Sequence, residues 1–166
     1  MSKAWWKAAG IRAKGDFSDN SAGWKYAQYE MKGVPLRVEI GPKDLEKGQF
    51  VAARRDNGEK VFLPLTELET AVSSLLDDVH NGLYQKAKAN LESHTWPVTT
   101  VAEAKEKGAD GFVKAMWCGE LACEERMKEE AGLSSRCIPF VQEKISDVCV
   151  CCGKPAKHMV YWGIAY

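Results

Sequence analysis

Val34, Leu36, Val38 and Ile40 alternate with Pro35, Arg37 and Glu39. A repeat of two puts apolar side chains on one face and charged ones on the other, so this stretch is predicted to be a strand laid on a core. Gly41-Pro42 ends it. Residues 50–55 and 60–65 are two further apolar runs, joined through Asp56-Asn57-Gly58, a strong hairpin signal. Ahead of them, residues 11–17 read as a short strand weakened by Gly15, residues 18–22 as a polar turn, and residues 23–32 as a short helix stopped by Gly33.

The period changes after Leu65. Leu68, Val72, Leu75, Leu76, Val79, Leu83, Ala87 and Leu91 recur at steps of three, four or one, the spacing of an amphipathic helix. Thr66 and Glu69 have the spacing of a capping box at its start. Gly82 lies inside and costs roughly 1 kcal/mol relative to Ala, so a bend or a closely packed neighbour is expected there. Pro97 marks a boundary. Thr100 and Glu103 form a second box, for a short helix ending at Gly108. Residues 111–117 read as a strand, 121–131 as a helix with an acidic outer side, and 135–140 and 159–166 as strands. The pattern predicts an α/β (α+β) chain of two small units, residues 1–95 and 96–166, with no internal repeat.

Composition narrows the classes. A hydrophobic content of 45% with 28% charged residues supports packed cores rather than disorder. The net charge is zero but unevenly spread: residues 1–60 carry 12 Lys/Arg against 8 Asp/Glu. A weakly basic front half is compatible with a phosphate backbone, and equally with an ordinary mixed surface. No apolar run approaches the ~18 residues of a membrane span. No apolar segment with a cleavage site follows Met1, so a cytoplasmic protein is expected, and its six cysteines should be free or metal-bound.

Four of those cysteines have ligand spacing. Cys149 and Cys152 form a C-x2-C followed by Gly153, the usual zinc knuckle, whose tight turn aims two sulfurs at one point. Cys118 and Cys123 form a looser C-x4-C that suits a strand end running into the first turn of a helix. Four thiolates close a tetrahedral site, so Zn2+ here would be structural and not catalytic. Cys137, in Cys-Ile-Pro-Phe, reads as a small buried apolar residue, and Cys151 and His158 as non-ligands. A thiol redox enzyme built on Cys149-Val150-Cys151-Cys152 is disfavoured because the other two cysteines complete a metal set.

The run G-W-K-Y-A-Q-Y-E-M-K-G-V-P-L-R-V-E-I-G-P-K-D (Gly23 to Asp44) resembles the anticodon-binding domain of prolyl-tRNA synthetase, in the form of that enzyme with an added C-terminal zinc domain. R-R-D-N-G-E-K from Arg54, M-W-C-G-E-L-A-C-E from Met116, S-S-R-C-I-P-F from Ser134 and C-V-C-C-G-K-P-A-K from Cys149 agree in order and spacing. The resemblance runs from about Ala9 to the end. It implies a class II synthetase anticodon-binding domain, with a mixed sheet flanked by helices, followed by a small α+β zinc domain. The family's domain begins with a further strand and helix, of which residues 5–9 would be the remnant.

By that resemblance Glu30, Arg37, Lys43 and Lys60 match the family's readers of the anticodon guanines, and Cys118, Cys123, Cys149 and Cys152 match its metal ligands. Proline anticodons hold two adjacent guanines, whose N1–H and N2–H suit a carboxylate and whose O6 and N7 suit Arg or Lys. Read without the resemblance, Glu30 is an ordinary helix-surface acid, Arg37 pairs with Glu39 or Asp44, and Lys60 is a hairpin surface charge. Trp24 and Tyr26 are expected in the core more than in stacking on bases. The implied partner is proline tRNA, with no DNA and no membrane, and the full-length family enzyme is a homodimer. Catalytic residues are expected to be none, because ATP and Mg2+ belong to a catalytic domain not represented here, and the chain alone should not charge tRNA. Tyr166 matches the family's C-terminal tyrosine. The rival reading is a free-standing, zinc-stabilised interaction module without RNA binding.

Overall fold

The structure is a computed structural model that describes residues 10–165. Residues 5–9 and Tyr166, on which two of the expectations above fall, lie outside the described residues. Contacts divide the chain into two compact units after Lys86.

The first unit is a helix, α1 (Ala22–Met31), then strand β1 (Leu36–Glu39), a one-turn helix α2 (Pro42–Glu46), strands β2 (Gln49–Arg54) and β3 (Lys60–Pro64), and the long helix α3 (Leu68–Ser93), whose last turns pass into the second unit. The strands form an antiparallel sheet in the order β1-β2-β3. The alternation read from the sequence sorts its two faces. Leu36 and Val38, Phe50 and Ala52, Val61 and Leu63 point to one side, where they pack with Leu68, Val72, Leu75 and Leu76 of α3. Arg37, Glu39, Val51, Ala53, Lys60 and Phe62 take the alternate positions. Ser21 caps α1 by accepting from the Trp24 N–H at 3.3 Å, and Gly33 ends it at φ 77°.

Residues 11–17 are not a strand. No described segment pairs with them, and Asp16 bends the chain locally by accepting from the Ser18 N–H at 3.0 Å, the Ser18 hydroxyl at 2.6 Å and the Tyr29 hydroxyl at 3.0 Å. Ile11 alone reaches the core. Helix α2 is an addition the sequence reading did not contain. Pro42 does end β1, but its fixed φ also serves as the first helical position. Helix α3 begins through a 3-10 turn (Leu65–Glu67) rather than through the Thr66 capping box. Its apolar stripe is buried at Leu68, Val72 and Val79, whereas Leu83 and Leu91 are exposed.

The second unit carries β4 (Thr95–Pro97), α4 (Val101–Gly108), β5 (Phe112–Trp117), α5 (Leu121–Arg126) with a π-helical turn at Met127–Ala131, β6 (Ser134–Cys137) and β7 (His158–Gly163). The sheet order is β4-β5-β7-β6, with β4 and β5 parallel and the other pairs antiparallel. Thr100 caps α4 through the Glu103 N–H at 3.2 Å. The Glu103 carboxylate completes the box one residue early, on the Thr99 N–H at 2.9 Å. Trp162, fully buried, anchors the core and meets Trp117 edge-on at 6.4 Å. Strand β6 is shorter than expected. A bulge between Ser135 and Cys137 breaks its register on β7, so Cys137 is exposed rather than buried, and Ile138 and Phe140 lie open.

Gly82 does not require an absent side chain. A Cβ there would meet the Asp56 carboxylate at 3.5 Å and the Arg54 guanidinium at 3.8 Å, which are ordinary contacts. We therefore expect Gly82→Ala to stabilise the first unit by about 1 kcal/mol, through helix propensity alone. Urea unfolding measures it, and a destabilised variant would show that the Arg54–Asp56 pair fills that space.

Candidate nucleic-acid interface and metal centre

Register builds the first site. Arg37 lies opposite Ala53 and Ala53 opposite Lys60, so two cations flank one small residue on the face turned away from the core. Glu39 is two residues beyond Arg37, on the same face. Its Oε1 accepts from Arg37 Nε at 2.8 Å and lies 3.3 Å from Lys60 Nζ. Arg37 Nη1 donates to Glu30 Oε1 at 2.6 Å, so α1 is tied to this face. The guanidinium lies 3.8 Å from the centre of the Tyr26 ring, a stacked cation–π contact. Lys60, Glu39, Arg37 and Glu30 thus form a row of alternating charge.

The row borders a cavity of about 60 Å³ lined by Tyr29, Glu30, Arg37, Ala53, Arg55 and Lys60. Small-molecule sites run to roughly 300–1,000 Å³. This one is too small to enclose a ligand and can only grip an edge, which suits a base presented by a larger molecule. Its outermost member is free to exchange partners. Glu30 is 53% exposed, and a pair with so exposed a partner is worth about 0–1 kcal/mol. A bidentate contact to a base edge is worth about 1–3 kcal/mol, enough to displace it.

Three of the four expected readers, Glu30, Arg37 and Lys60, are thereby brought together. Lys43 is not. It is exposed on α2, and among the described residues it takes no part in these ion pairs or in lining the cavity. Trp24 is 49% exposed, so it is not a core residue. Arg54 is spent within the hairpin, where its Nε and Nη2 hold Asp56 at 3.1 and 2.8 Å.

The second site joins Cys118, Cys123, Cys149 and Cys152, whose sulfurs all lie within 4.8 Å of one another. The Sγ–Sγ distance is 3.6 Å for Cys118 and Cys123, and 3.7 Å for Cys118 and Cys152. Cys118 follows β5 directly and Cys123 sits in the first turn of α5, with Gly119 at φ 91° turning between them. The knuckle closes with Gly153 at φ 71° and is tied to β5 through Val150 N–H to Met116 O at 2.9 Å and Lys157 N–H to Trp117 O at 2.8 Å. Burial raises the pKa of the Cys118 and Cys123 thiols. Burial opposes ionisation at Cys149 too, but the N–H groups of Cys152, Cys151 and Cys118 outweigh it and bring the pKa down to about 7. Cys151 turns away, its thiol directed at the Cys123 carbonyl at 3.2 Å. His158 opens β7 opposite Trp117 and is not in the cluster. Four buried or knuckle-held thiols with no other donor could hold a metal ion.

Residues 6–75 match the family described as "Anticodon binding domain", and residues 101–166 match "Prolyl-tRNA synthetase, C-terminal". Over 157 residues, 93% of the chain, it is 55% identical to "Proline--tRNA ligase" of Clostridium novyi and to "Proline--tRNA ligase 2" of Bacillus cereus. It is 51% identical to "Proline--tRNA ligase" of Lachnospira eligens over 162 residues. The chain belongs to the prolyl-tRNA synthetase family. It carries that family's anticodon-binding and C-terminal domains and spans about a third of the length of the curated relatives it matches. No helix among the described residues is long and apolar enough to cross a membrane.

Within this synthetase region, the sequence offered Glu39 only as an ion-pair partner of Arg37, a pair the structure shows, and Tyr26 as a core residue, so neither was expected in the first site. Tyr26 lies one helical turn before Glu30, and Glu39 one strand repeat after Arg37; both periods were available as signals. Glu39 also offers a measurable handle. Burial alone would raise its pKa, but hydrogen bonds from Arg37, Tyr26 and Lys60 together hold it below the ordinary carboxylate range. A lowered folded pKa contributes stability above the unfolded value, about 4.3, and that stability is lost as pH falls through the folded value. The stability gap between parent and Glu39→Gln should therefore be full at pH 6 and shrink towards pH 3. A gap independent of pH in denaturant titrations would mean that the charge of Glu39 does not contribute.

Proposed function

We propose that residues 1–95 bind the anticodon loop of proline tRNA and that residues 96–166 form a zinc-stabilised domain. Glu30 accepts from N1–H and N2–H of a guanine, while Arg37, Lys43 and Lys60 donate to bases or phosphates. The carrying observation is the juxtaposition of Glu30, Arg37 and Lys60 around a shallow cleft floored by Ala53. Lys43, apart from that cluster, is best suited to a phosphate. This region performs no bond chemistry of its own. In a full-length homodimeric enzyme of the cytoplasm it would hold the anticodon and so orient the acceptor end for prolyl transfer, with ATP and Mg2+ used by the catalytic domain.

Zinc is the ion that the thiol set favours. Four sulfurs at the ~2.3 Å Zn–S distance stand about 3.8 Å apart along a tetrahedron's edges. The separations of 3.6 and 3.7 Å are close to that. With four protein ligands no position is open to substrate, so the metal would lend folding energy and not chemistry.

Two measurements test this reading. Glu30→Ala should weaken binding of a proline anticodon stem-loop by more than ~10-fold, about 1.4 kcal/mol or more. Equal binding by variant and parent removes Glu30 from the interface. The purified protein should carry one zinc per chain, and chelation should unfold the second unit before the first. Metal-free protein with a melting curve indifferent to chelator would rule out a structural zinc.

A further inference from the structure

Glu39 touches two of the proposed readers at once. One oxygen accepts from Arg37 Nε at 2.8 Å and lies 3.3 Å from Lys60 Nζ, and the other oxygen is 3.4 Å from the same ammonium. Its side chain is 19% exposed, against 53% for Glu30 at the other end of the row. It sits one register step from the Arg37–Ala53–Lys60 line, opposite Val51, which is itself opposite Phe62. Arg37 is held at Nε by Glu39, at Nη1 by Glu30 and across its face by Tyr26. Lys60 has no ion-pair partner other than Glu39 among the described residues.

We propose that Glu39 is a positioning residue for base discrimination, a role that rests on the anticodon-binding reading above. It need not touch RNA. Arg37 and Lys60 converge from strands separated by one intervening strand, and without an anion between them they repel. Glu39 holds both at a fixed separation over Ala53, and it fixes the angle at which Arg37 meets Glu30. It also brings the formal charge of Lys60, Glu39, Arg37 and Glu30 to zero. A neutral row gains little from a phosphate of any sequence, so it must discriminate through the placement of donors and acceptors.

This makes the loss of Glu39 distinguishable from a loss of folding. Removing its charge leaves the row at plus one, which favours any RNA, while the donors lose their fixed spacing. The test uses the 166-residue chain and two stem-loops, one with adjacent guanines in its anticodon and one with both replaced by adenine. Fluorescence anisotropy at two salt concentrations reads each affinity. Glu39→Gln should lower the preference for the guanine loop by about 10-fold, with binding of the adenine loop unchanged or tighter. Glu39→Asp keeps the charge on a shorter arm and should lower the preference by about 3-fold. It decides the matter if the glutamine variant does not fold. Parental preference in the folded glutamine variant, or in Glu39→Asp if the other does not fold, overturns the role of Glu39. If Glu30→Ala loses guanine binding in the same series, the anticodon reading survives that result. If the parent shows no preference between the two loops, the anticodon reading fails and the role of Glu39 fails with it.

Discussion

Arg37 and Lys60 share one face of a narrow sheet, and Glu39 stands between them as a common counter-ion. Half-buried like charges raise each other's energy, and burial adds a desolvation cost to each. A single carboxylate accepting from both offsets those terms, and the Tyr26 ring covers the guanidinium. The strength of the row is graded. The Glu39 end is shielded and doubly bonded, while the Glu30 end is open to water. A row made this way keeps its cations in place and leaves its outermost carboxylate open to water.

That arrangement depends on how the first unit divides its labour. One face of the sheet is apolar and packs on α3; the opposite face carries the charged row. Burial on one side fixes the register, since a slip of one residue would turn Arg37 and Glu39 into the core. The small side chain at Ala53 matters as much as the charged ones beside it. A larger residue would fill the cleft and separate Arg37 from Lys60. Core packing and the charged row thus lie on alternate residues of the same strands, so neither can shift register without the other.

In the second unit the thiols do a different task. Cys118 ends a central strand, Cys123 begins a helix, and Cys149 and Cys152 belong to a turn held against that strand by backbone hydrogen bonds. These are segments distant in sequence that meet in one small core. Their sulfurs converge beside Val150, Cys151 and Met127, at the edge of the apolar cluster around Trp162. A metal at that point would crosslink strand, helix and knuckle at once, which is how small metal domains gain cooperativity.

From the sequence came the elements with strong periods, the hairpin at Asn57-Gly58, the cap at Thr100 and the two thiol pairs, because each is encoded by neighbours a few residues apart. Family resemblance singled out Glu30, Arg37, Lys43 and Lys60, yet could not say which of them meet. Tertiary contacts settled which ones do. They set Lys60 beside Glu39 across an intervening strand, brought α1 onto the sheet so that Tyr26 covers Arg37, and left Lys43 outside the row. They left residues 11–17 without a strand partner among the described residues, and they exposed Cys137 through a bulge. These depend on contacts between separate segments, and a pairing across strands leaves no periodic trace in either of them.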